Sequence, residues 1–333
     1  MLSGSEKKIK IEKIEDLELR IDVIGYKRLG EAIVILFRDR RHNKTLYSMA
    51  IDSYCLKQNK SERNWSDDIL RKYKVKSLST ICWTHPHLDH SKGLLKLFRK
   101  YCWLSTKIIK PCYFDNVDSD IVSVNDEVTK KVVDAVFGLN AIKRNIVVSA
   151  LVPHKGYIDA DHFLIISGNS QSKEISLNLL TPVSSIVDDY YKNGRKLEDM
   201  NGISVSFILN IDDCYMMFGG DTINEHIDLI DRQYLKDCKF VKIPHHSSYT
   251  GQKMGDYVHE ANLVTACTTT YKTSLPRDKV VDKYKEKCKY VFTTGYKETK
   301  DLKTYFGIVE YVYRFTNPEI SLDVNLYGNA HQV

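Results

Sequence analysis

The chain has 333 residues and an ordinary globular composition, with 43% hydrophobic and 28% charged residues. No apolar run reaches the ~18–20 residues that a membrane-spanning helix needs, and the first twenty residues lack the apolar stretch of a secretory signal. We therefore expect a soluble, cytoplasmic protein with no membrane partner. The formal net charge of +6 is compatible with nucleic acid as a partner.

The first half of the chain contains short apolar runs separated by polar turns, a pattern that predicts β-strands. The predicted strands are 19–24, 32–37, 45–51 and 77–84. Two stretches with apolar residues at helical spacing follow, at 89–100 and about 118–138.

The second half is again rich in predicted strands. In chain order it contains strands at 162–168, 175–181, 203–211 and 214–220, a helix at 222–236, strands at 238–243 and 262–268, a helix after Pro276, a strand at 290–294 and a hairpin of 307–316 with 319–328. No linker or repeat divides the chain, so we predict one α+β domain over residues 19–333 after an N-terminal extension of residues 1–18. Eight cysteines without a C-x-x-C pair predict reduced core thiols.

The segment T-H-P-H-L-D-H at 84–90 follows one predicted strand and begins a predicted helix. Pro86 keeps the chain before it extended, so His85 and His87 are expected on one side of a loop. Asp89 and His90 begin the helix, and their side chains can bind a second ion beside the one that His85 and His87 face. Mixed nitrogen and oxygen ligands of this kind suit Zn²⁺, Mn²⁺ or Fe, and the segment therefore predicts two adjacent metal sites.

Further candidate ligands stand at two other strand ends. Asp221 follows Gly219-Gly220, where an aspartate is either an N-cap or a carboxylate that bridges two metals. His245 and His246 follow Pro244 at the end of the next predicted strand.

Together these segments resemble the metallo-β-lactamase superfamily. The pieces "NGISVSFIL", "MMFGGDTINEHI" and "FVKIPHHSS" resemble the branch that contains the soluble hydrolase domain of the DNA-uptake protein ComEC. The resemblance covers roughly residues 19–315, and it implies an αββα sandwich of two mixed β-sheets flanked by helices, with a metal site at one edge.

The resemblance also implies a role for individual residues. Carried over to this sequence, the metal ligands are His85 and His87 for the first ion, Asp89 and His90 for the second, Asp221 as the bridge, and His245 to complete the second site. His246 would be a further ligand or a proton donor. The expected substrate contacts are Asn201, Ser204, Ser247 and Ser248.

Three positions depart from the family pattern. The mid-chain histidine that often follows a strand end is absent from "LLTPVSSIVDDYYKNG", and His154 or His162 could replace it only if its loop folds back. The glycine of the family's P-H-H-G-S loop is Ser247. The family's I-D-x-G turn reads Asp52-Ser53-Tyr54, so this loop needs another geometry without glycine.

We expect a metal-dependent hydrolase, a phosphodiesterase or nuclease acting on DNA or RNA, in which two divalent ions (Zn²⁺ or Mn²⁺) generate the attacking hydroxide. Asp89 would orient that hydroxide and His246 would protonate the leaving oxygen. Tyr190-Tyr191, beside Lys192 and Arg195, are candidate base-stacking residues. The alternatives are hydrolysis of a small ester (a cyclic nucleotide, a phosphorylcholine-type phosphoester, a lactone or a thioester) and a non-catalytic regulatory module with a remnant site.

Overall fold

The computed structural model describes residues 7–10, 16–58, 61–112, 126–143, 147–154, 156–166, 172–192, 200–212, 214–258, 263–297, 304–316 and 319–333. The strands are β1 (Lys7–Lys10), β2 (Leu17–Gly25), β3 (Glu31–Asp39), β4 (Lys44–Ile51), β5 (Leu56–Gln58), β6 (Ser61–Arg63), β7 (Thr80–Cys82), β8 (Lys107–Pro111), β9 (Val147–Ala150), β10 (Ile158–Ile166), β11 (Ser172–Thr181), β12 (Ser206–Ile211), β13 (Cys214–Phe218), β14 (Cys238–Lys242), β15 (Thr265–Thr268), β16 (Tyr290–Thr293), β17 (Gly307–Thr316), β18 (Glu319–Gly328) and β19 (His331–Gln332).

Helices lie between these strands and on both sides of the molecule. The α-helices are α1 (Trp65–Lys72), α2 (Leu88–Ser91), α3 (Leu94–Tyr101), α4 (Glu127–Lys143), α5 (Ser184–Lys192), α6 (Asn224–Ile227), α7 (Lys253–Tyr257) and α8 (Asp278–Lys285). The 3₁₀-helices are Met200–Ile203, Arg232–Tyr234, Pro244–Ser247 and Tyr249–Gly251. None of the described helices is both long and apolar enough to cross a bilayer.

Two large mixed sheets form the centre of the fold. The first has the order β1-β10-β11-β12-β13-β14-β15-β16-β19, and the second has the order β18-β17-β2-β3-β4-β7-β8-β9. One apolar cluster fills the space between the sheets, and two further clusters join the outer face of each sheet to the helices. The chain is therefore an αββα sandwich, and the predicted α+β fold class is confirmed.

Strand β2 shows why the sequence folds into these layers. Leu19, Ile21 and Val23 alternate along it and belong to the core between the sheets. The residues between them, among them Arg20 and Asp22, lie on the other face of the strand because successive side chains point to opposite faces. The alternation that predicted a strand thus also determines which side chains fill the centre of the sandwich.

The helix predicted at 89–100 is broken into α2 and α3 around Gly93. A Cβ atom on Gly93 would lie 2.4 Å from Ser53 Oγ and 2.7 Å from Tyr54 N, so only glycine fits against this turn. The Gly93 N–H donates to the Ser53 carbonyl at 2.8 Å, which ties the break to the end of β4.

The helix predicted at 222–236 is also wrong, because only α6 and a 3₁₀ turn form there. Asp231 has extended backbone angles and accepts a hydrogen bond from the Gln233 N–H at 3.1 Å. A local side-chain acceptor of this kind competes with the continuing helix. The helix predicted at about 118–138 is found as α4, and residues 113–125 lie outside the described residues.

The other predicted strands are confirmed with changed ends, and the hairpin of β17 with β18 has the predicted bounds. The prediction at 77–84 was too long, since β7 is only three residues. All eight cysteines are buried and free, as expected for core thiols. The boundary at residue 18 stays a prediction; Lys7–Lys10 pairs with β10.

Candidate metal centre

The site lies where strand ends from both sheets meet. His85 and His87 follow β7 of the second sheet, and α2 carries Asp89 and His90. Asp221 follows β13 of the first sheet, and the two adjacent histidines follow its parallel neighbour β14. The sandwich therefore brings together groups that lie up to 161 residues apart in the sequence.

Asp221 lies at the centre of this arrangement. Its Oδ2 atom is 3.9 Å from His85 Nε2, 3.6 Å from His90 Nε2, 3.9 Å from His245 Nε2 and 3.7 Å from His246 Nε2. The Asp221 N–H donates to Ser204 Oγ at 2.8 Å, which fixes the backbone at this point. One carboxylate oxygen thus faces the Nε2 atoms of four imidazoles.

Three sets of buried side chains each place their ligand atoms within 4.8 Å of one another. These are His85 with His90 and Asp221; Asp89 with His90 and His246; and Glu31 with Asp52 and His90. The Nε2 atoms of His90 and His246 and the Oδ1 atom of Asp221 are buried without a hydrogen-bond partner in the described part of the chain. Unsatisfied buried polar atoms are costly, so a divalent cation fits the site.

The other ring nitrogen of each histidine is anchored by a neighbouring side chain. The Nδ1 atoms lie 3.0 Å from Thr84 Oγ1 for His85, 2.7 Å from Asp52 Oδ2 for His90, 2.6 Å from Thr250 Oγ1 for His245 and 2.8 Å from Thr269 Oγ1 for His246. Such anchoring fixes the orientation of the ring and is typical of metal-ligating histidines. All four imidazoles therefore direct Nε2 toward Asp221.

The loop after β14 has an unusual backbone. His245, His246 and Ser247 have φ angles of 48°, 48° and 60°, three consecutive residues in the left-handed region. Each such residue costs energy, of order 1–3 kcal/mol, and clusters of them are typical of functional sites. Ser247 thus adopts a left-handed conformation that glycine adopts without strain, and its Oγ donates to Thr268 Oγ1 at 2.7 Å.

The turn after β4 is the third position that departs from the expected pattern. Asp52, rather than Tyr54, takes the positive φ angle, at 53°. Its Oδ1 atom accepts a hydrogen bond from the Thr84 N–H at 2.7 Å, and its Oδ2 atom accepts one from Thr84 Oγ1 at 2.6 Å. Asp52 therefore joins the end of β4 to the start of the histidine segment while it anchors His90.

The charges of the site shift the pKa values of its members. Burial lowers the pKa of His90, but the carboxylates of Asp221, Asp89 and Asp52 outweigh it and hold that pKa well above its usual value. Burial raises the pKa of Asp221, but the surrounding imidazoles, with His246 first, outweigh it and hold that pKa well below its usual value. The carboxylates and the imidazoles of the site thus favour each other's charged forms.

A buried Lys242–Glu31 pair lies behind the second group of ligands. Lys242 Nζ is 3.0 Å from Glu31 Oε2, and both side chains are almost completely inaccessible. The same carboxylate oxygen is 3.3 Å from His246 Nδ1 and also accepts a hydrogen bond from Thr269 Oγ1. This pair supports His246 from behind, on the side away from Asp221.

All of the predicted ligands meet at the site, but the two adjacent histidines contact different parts of it. His246 Nε2 is 3.5 Å from Asp89 Oδ2, whereas His245 lies beside Asn201, whose Nδ2 is 3.4 Å from His245 Nε2. His87 Nδ1 is 3.0 Å from His85 Nε2.

The predicted substrate contacts differ in exposure. Ser204 and Ser247 are fully buried and hydrogen-bonded within the chain, so in this structure they position Asp221 and the histidine loop. Asn201 is also buried, at the edge of the site, and Ser248 is half-buried and bonds to Thr250.

Neither candidate for the missing mid-chain histidine contacts the site residues in the described structure. His154 Nδ1 lies 3.3 Å from Ser185 Oγ on α5, and His162 Nε2 lies 2.9 Å from Glu174 Oε1 across the β10–β11 ladder.

Glu31, Lys242 and the anchoring role of Asp52 were missed by the sequence analysis. The available signal was a charged residue next to or within an apolar strand, as in "EAIVILF" and "KFVKIP". Buried charged side chains of this kind are rare unless they are paired, so their presence at strand ends points to a polar centre.

No family model matches the chain, and no curated protein matches it. Among solved structures, the crystal structure of a new diphosphatase from the PhnP family aligns with 82% of this chain and 94% of that chain. The aligned residues are 10% identical and the TM-score is 0.41. A likeness of this degree does not extend to activity or to individual residues, so the function is inferred from the site itself.

Proposed function

We propose that the chain is a metal-dependent phosphodiesterase with a two-ion centre and that its substrate is nucleic acid. The observation that carries this proposal is Asp221, whose Oδ2 atom faces four imidazole Nε2 atoms at 3.6–3.9 Å while buried ligand atoms of the site lack partners. The resemblance of the sequence to the ComEC-like branch also supports nuclease activity.

The first ion would be held by His85, His87 and the shared Asp221. The second would be held by Asp89, His90 and His246 together with that carboxylate, since His246 Nε2 lies 3.5 Å from Asp89 Oδ2 and 3.7 Å from Asp221 Oδ2. In this assignment His246 replaces His245 as the residue that completes the second site. The mixed imidazole and carboxylate set suits Zn²⁺ or Mn²⁺.

Two divalent ions, when bound, lower the pKa of water and neutralise the charge that builds up on the phosphate oxygens during in-line attack. Asp89 supports this chemistry because burial raises its pKa but His90 and His246 outweigh the burial and hold that pKa below its usual value. An ionised Asp89 can accept a hydrogen bond from the attacking water and orient it. As a ligand, His246 uses its Nε2 lone pair and cannot also donate a proton from that atom. Of the two predicted catalytic residues, Asp89 and His246, only Asp89 is therefore kept in this proposal.

Three tyrosine–cation pairs lie near the site, and the exposed one among them supports a nucleic-acid substrate. Lys92 Nζ lies 5.0 Å from the centre of the Tyr54 ring, and Lys272 Nζ lies 4.9 Å from the Tyr271 ring. The Tyr271 ring in turn stacks on His246 with centroids 4.7 Å apart.

The third pair stands directly beside the histidine loop. Arg277 lies 5.5 Å over the exposed Tyr249 ring, and its backbone N–H donates to the Ser247 carbonyl at 3.1 Å. Exposed aromatic faces beside cations bind bases and phosphates of single strands. The earlier stacking candidates, Tyr190-Tyr191 with Arg195, have side chains outside the described residues.

The test is a cleavage screen with Mn²⁺ and Zn²⁺ against linear DNA, circular DNA, RNA and bis-p-nitrophenyl phosphate. We expect cleavage of a nucleic acid by the wild type and none by an Asp89→Ala/His90→Ala double variant, with elemental analysis showing bound metal only in the wild type. Cleavage of the small diester alone would remove the nucleic-acid claim. A protein that binds neither ion would remove the enzyme claim as well.

Substrate recognition can be separated from chemistry at Tyr249 and Arg277. Loss of one base-stacking surface costs about 1–3 kcal/mol, so a Tyr249→Ala/Arg277→Ala variant should raise KM for single-stranded nucleic acid by roughly 5-fold or more. Its kcat/KM for bis-p-nitrophenyl phosphate should stay at the wild-type value, because the ligands are untouched. Equal losses on both substrates would show that this pair supports the loop rather than the substrate.

A further inference from the structure

We propose that His245 is the third histidine ligand of the first ion, beside His85 and His87, and that it supplies the imidazole absent from the middle of the chain. This inference rests on the proposed two-ion centre but concerns a separate point, namely how the first ion is retained. Without His245, that ion would have two histidines and one carboxylate shared with its neighbour.

The separation of the ligand atoms is compatible with one ion between them. His245 Nε2 and His85 Nε2 each lie 3.9 Å from Asp221 Oδ2. Two atoms bonded to one ion at ~2.1 Å can be at most ~4.2 Å apart, so each of these two imidazoles is close enough to share an ion with Asp221. In the described chain, the ion-pair contact of His245 at the site is with Asp221, while His246 contacts Asp89, Asp221 and Glu31.

The left-handed backbone of the loop explains how adjacent residues serve different ions. His245 and His246 both have φ near 48°, where two successive side chains do not alternate as they would in a strand. Each ring still directs Nε2 toward Asp221 Oδ2, at 3.9 Å and 3.7 Å, from different neighbourhoods. The His245 N–H donates to the Gly220 carbonyl at 2.9 Å, which fixes the loop against the residue before Asp221.

The hydrogen bonds of Thr250 select the tautomer that a metal ligand requires. Thr250 Oγ1 donates to Ser248 Oγ at 3.1 Å, which uses its one proton. It must then accept a hydrogen bond from His245 Nδ1, 2.6 Å away, so the proton of the neutral imidazole resides on Nδ1. Nε2 keeps its lone pair and faces Asp221, the form in which histidine binds a metal.

The strand end where the missing histidine would stand is occupied by structural contacts. Thr181 Oγ1 donates to the Ser204 carbonyl at 2.8 Å and contacts Thr222 Oγ1 at 3.0 Å. The Val183 N–H donates to His226 Nδ1 at 3.0 Å. This segment supports the chain around Asp221 and contributes no imidazole or carboxylate of its own at positions 181–183.

The inference is tested by counting bound ions. Chelator-treated wild type, His245→Ala and His246→Ala are titrated with Zn²⁺ and with Mn²⁺ by calorimetry, and the dialysed proteins are analysed for metal. We expect two ions per wild-type chain, and one tightly bound ion with the other weakened at least 10-fold in His245→Ala. His154→Ala is the matched control, because that exposed histidine contacts none of the site residues, and it should bind two ions as the wild type does.

Cobalt(II) spectra add a readout that does not depend on turnover. The visible bands of the first Co²⁺ site should change in His245→Ala and return in part with His245→Cys, which offers another soft ligand. Thr250→Val removes the anchor of Nδ1 together with the hydrogen bond to Ser248, and it should weaken the same ion by about 10–100-fold. It provides the test if His245→Ala fails to fold.

Two ions bound with wild-type affinity and unchanged Co²⁺ spectra in both His245→Ala and Thr250→Val would overturn this inference while leaving the two-ion phosphodiesterase intact. A wild type that binds no metal would instead overturn the proposed function and, with it, the role of His245.

Discussion

The candidate metal centre and the outer face of β2 are both buried and highly charged, yet they balance their charges differently. On the outer face, Arg20 Nη1 and Arg38 Nη1 lie 3.1 Å and 3.2 Å from Glu18 Oε1, and Arg20 also pairs with Glu310. Glu310 Oε2 further accepts hydrogen bonds from Asn325 at 2.8 Å. Fixed guanidinium groups thus neutralise the carboxylates there.

At the metal centre, the only fixed cation close to the carboxylates in the described structure is Lys242, which pairs with Glu31. Asp89 and Asp221 face imidazoles, which carry charge only when protonated. In a buried cluster that contains its own fixed cations, the carboxylates are neutralised without a ligand. In a cluster that relies on imidazoles, a bound cation adds most to the neutralisation of the carboxylates. The comparison therefore separates structural polar clusters from a ligand site.

The largest expected effect comes from Asp221, the carboxylate that we propose is shared by both ions. Asp221→Asn keeps the shape of the side chain but removes its charge, so kcat/KM for phosphodiester cleavage should fall at least about 10³-fold, or ~4 kcal/mol. Metal content, measured on the same preparations, should fall below two ions per chain.

Asp212→Asn is the matched control, since Asp212 lies in the turn between β12 and β13 and pairs with Lys173 at 2.5 Å. It should keep wild-type activity and metal content. An Asp221→Asn protein with two bound ions would show that this carboxylate does not bridge them.

The next effect concerns the stability of the buried pair behind His246. Lys242→Met leaves Glu31 without its cation, and breaking a buried ion pair in this way costs about 3–5 kcal/mol. Lys283→Met breaks a comparable contact at 2.8 Å to Asp256, but both of those side chains are partly exposed, and the cost there should be about 0–1 kcal/mol.

Urea unfolding of both variants, each compared with the wild type in the same buffer, measures the difference. Similar losses in the two variants would mean that the Lys242–Glu31 pair contributes no more than a surface contact.

A third effect depends on pH and on a histidine outside the ligand set. His226 is buried, its Nδ1 accepts from the Val183 N–H at 3.0 Å, and its Nε2 donates to the Gly202 carbonyl at 2.6 Å. Burial lowers the pKa of His226 to about 4. Below pH 6.5 the unfolded chain therefore takes up a proton that the folded chain does not, and stability falls as pH drops toward 4.

Between pH 7 and pH 5 this linkage should remove about 2 kcal/mol from the unfolding free energy. His226→Gln should be less stable at pH 7 and should lose less on acidification, whereas His154→Gln, at an exposed position, should follow the wild type. A His226→Gln profile parallel to that of the wild type would contradict the shift.

The sequence predicted the parts of the site that depend on residue type and spacing. T-H-P-H-L-D-H and the two strand-end segments identified candidate ligands that the structure brings to one point, because the ends of β13 and β14 in the first sheet meet the end of β7 in the second. The sequence could not assign His245 and His246 to separate neighbourhoods, since that depends on three successive left-handed residues. Backbone angles of this kind carry no signal in histidine or serine side chains.

Helix lengths were predicted less well than strands, for a similar reason. The apolar spacing at 89–100 continues through Gly93, but close contact with Ser53 breaks the helix there. Glu31 and Lys242 were missed because each looks like an isolated charge next to or within an apolar strand, and their pairing depends on an approach between residues 211 positions apart.

The smallest effect tests Asp22, a buried carboxylate of the outer face. Asp22 lies opposite Glu310 in the sheet, its Oδ2 atom is buried without a hydrogen-bond partner in the described chain, and burial raises its pKa to about 7. The folded chain therefore keeps this proton when the unfolded chain has lost it, so the contribution of Asp22 to stability is fully present below pH 3.8 and is lost as pH rises through 7. Between pH 6 and pH 8 the loss should be about 1 kcal/mol.

Asp22→Asn removes this titration, so urea unfolding of the variant should lose about 1 kcal/mol less than the wild type over the same interval. Metal content should be unchanged, because Asp22 and the ion ligands belong to different clusters. An identical pH dependence in the two proteins would mean that Asp22 is ionised throughout and that the cations of the outer face, Arg20 above all, neutralise it as they do Glu310.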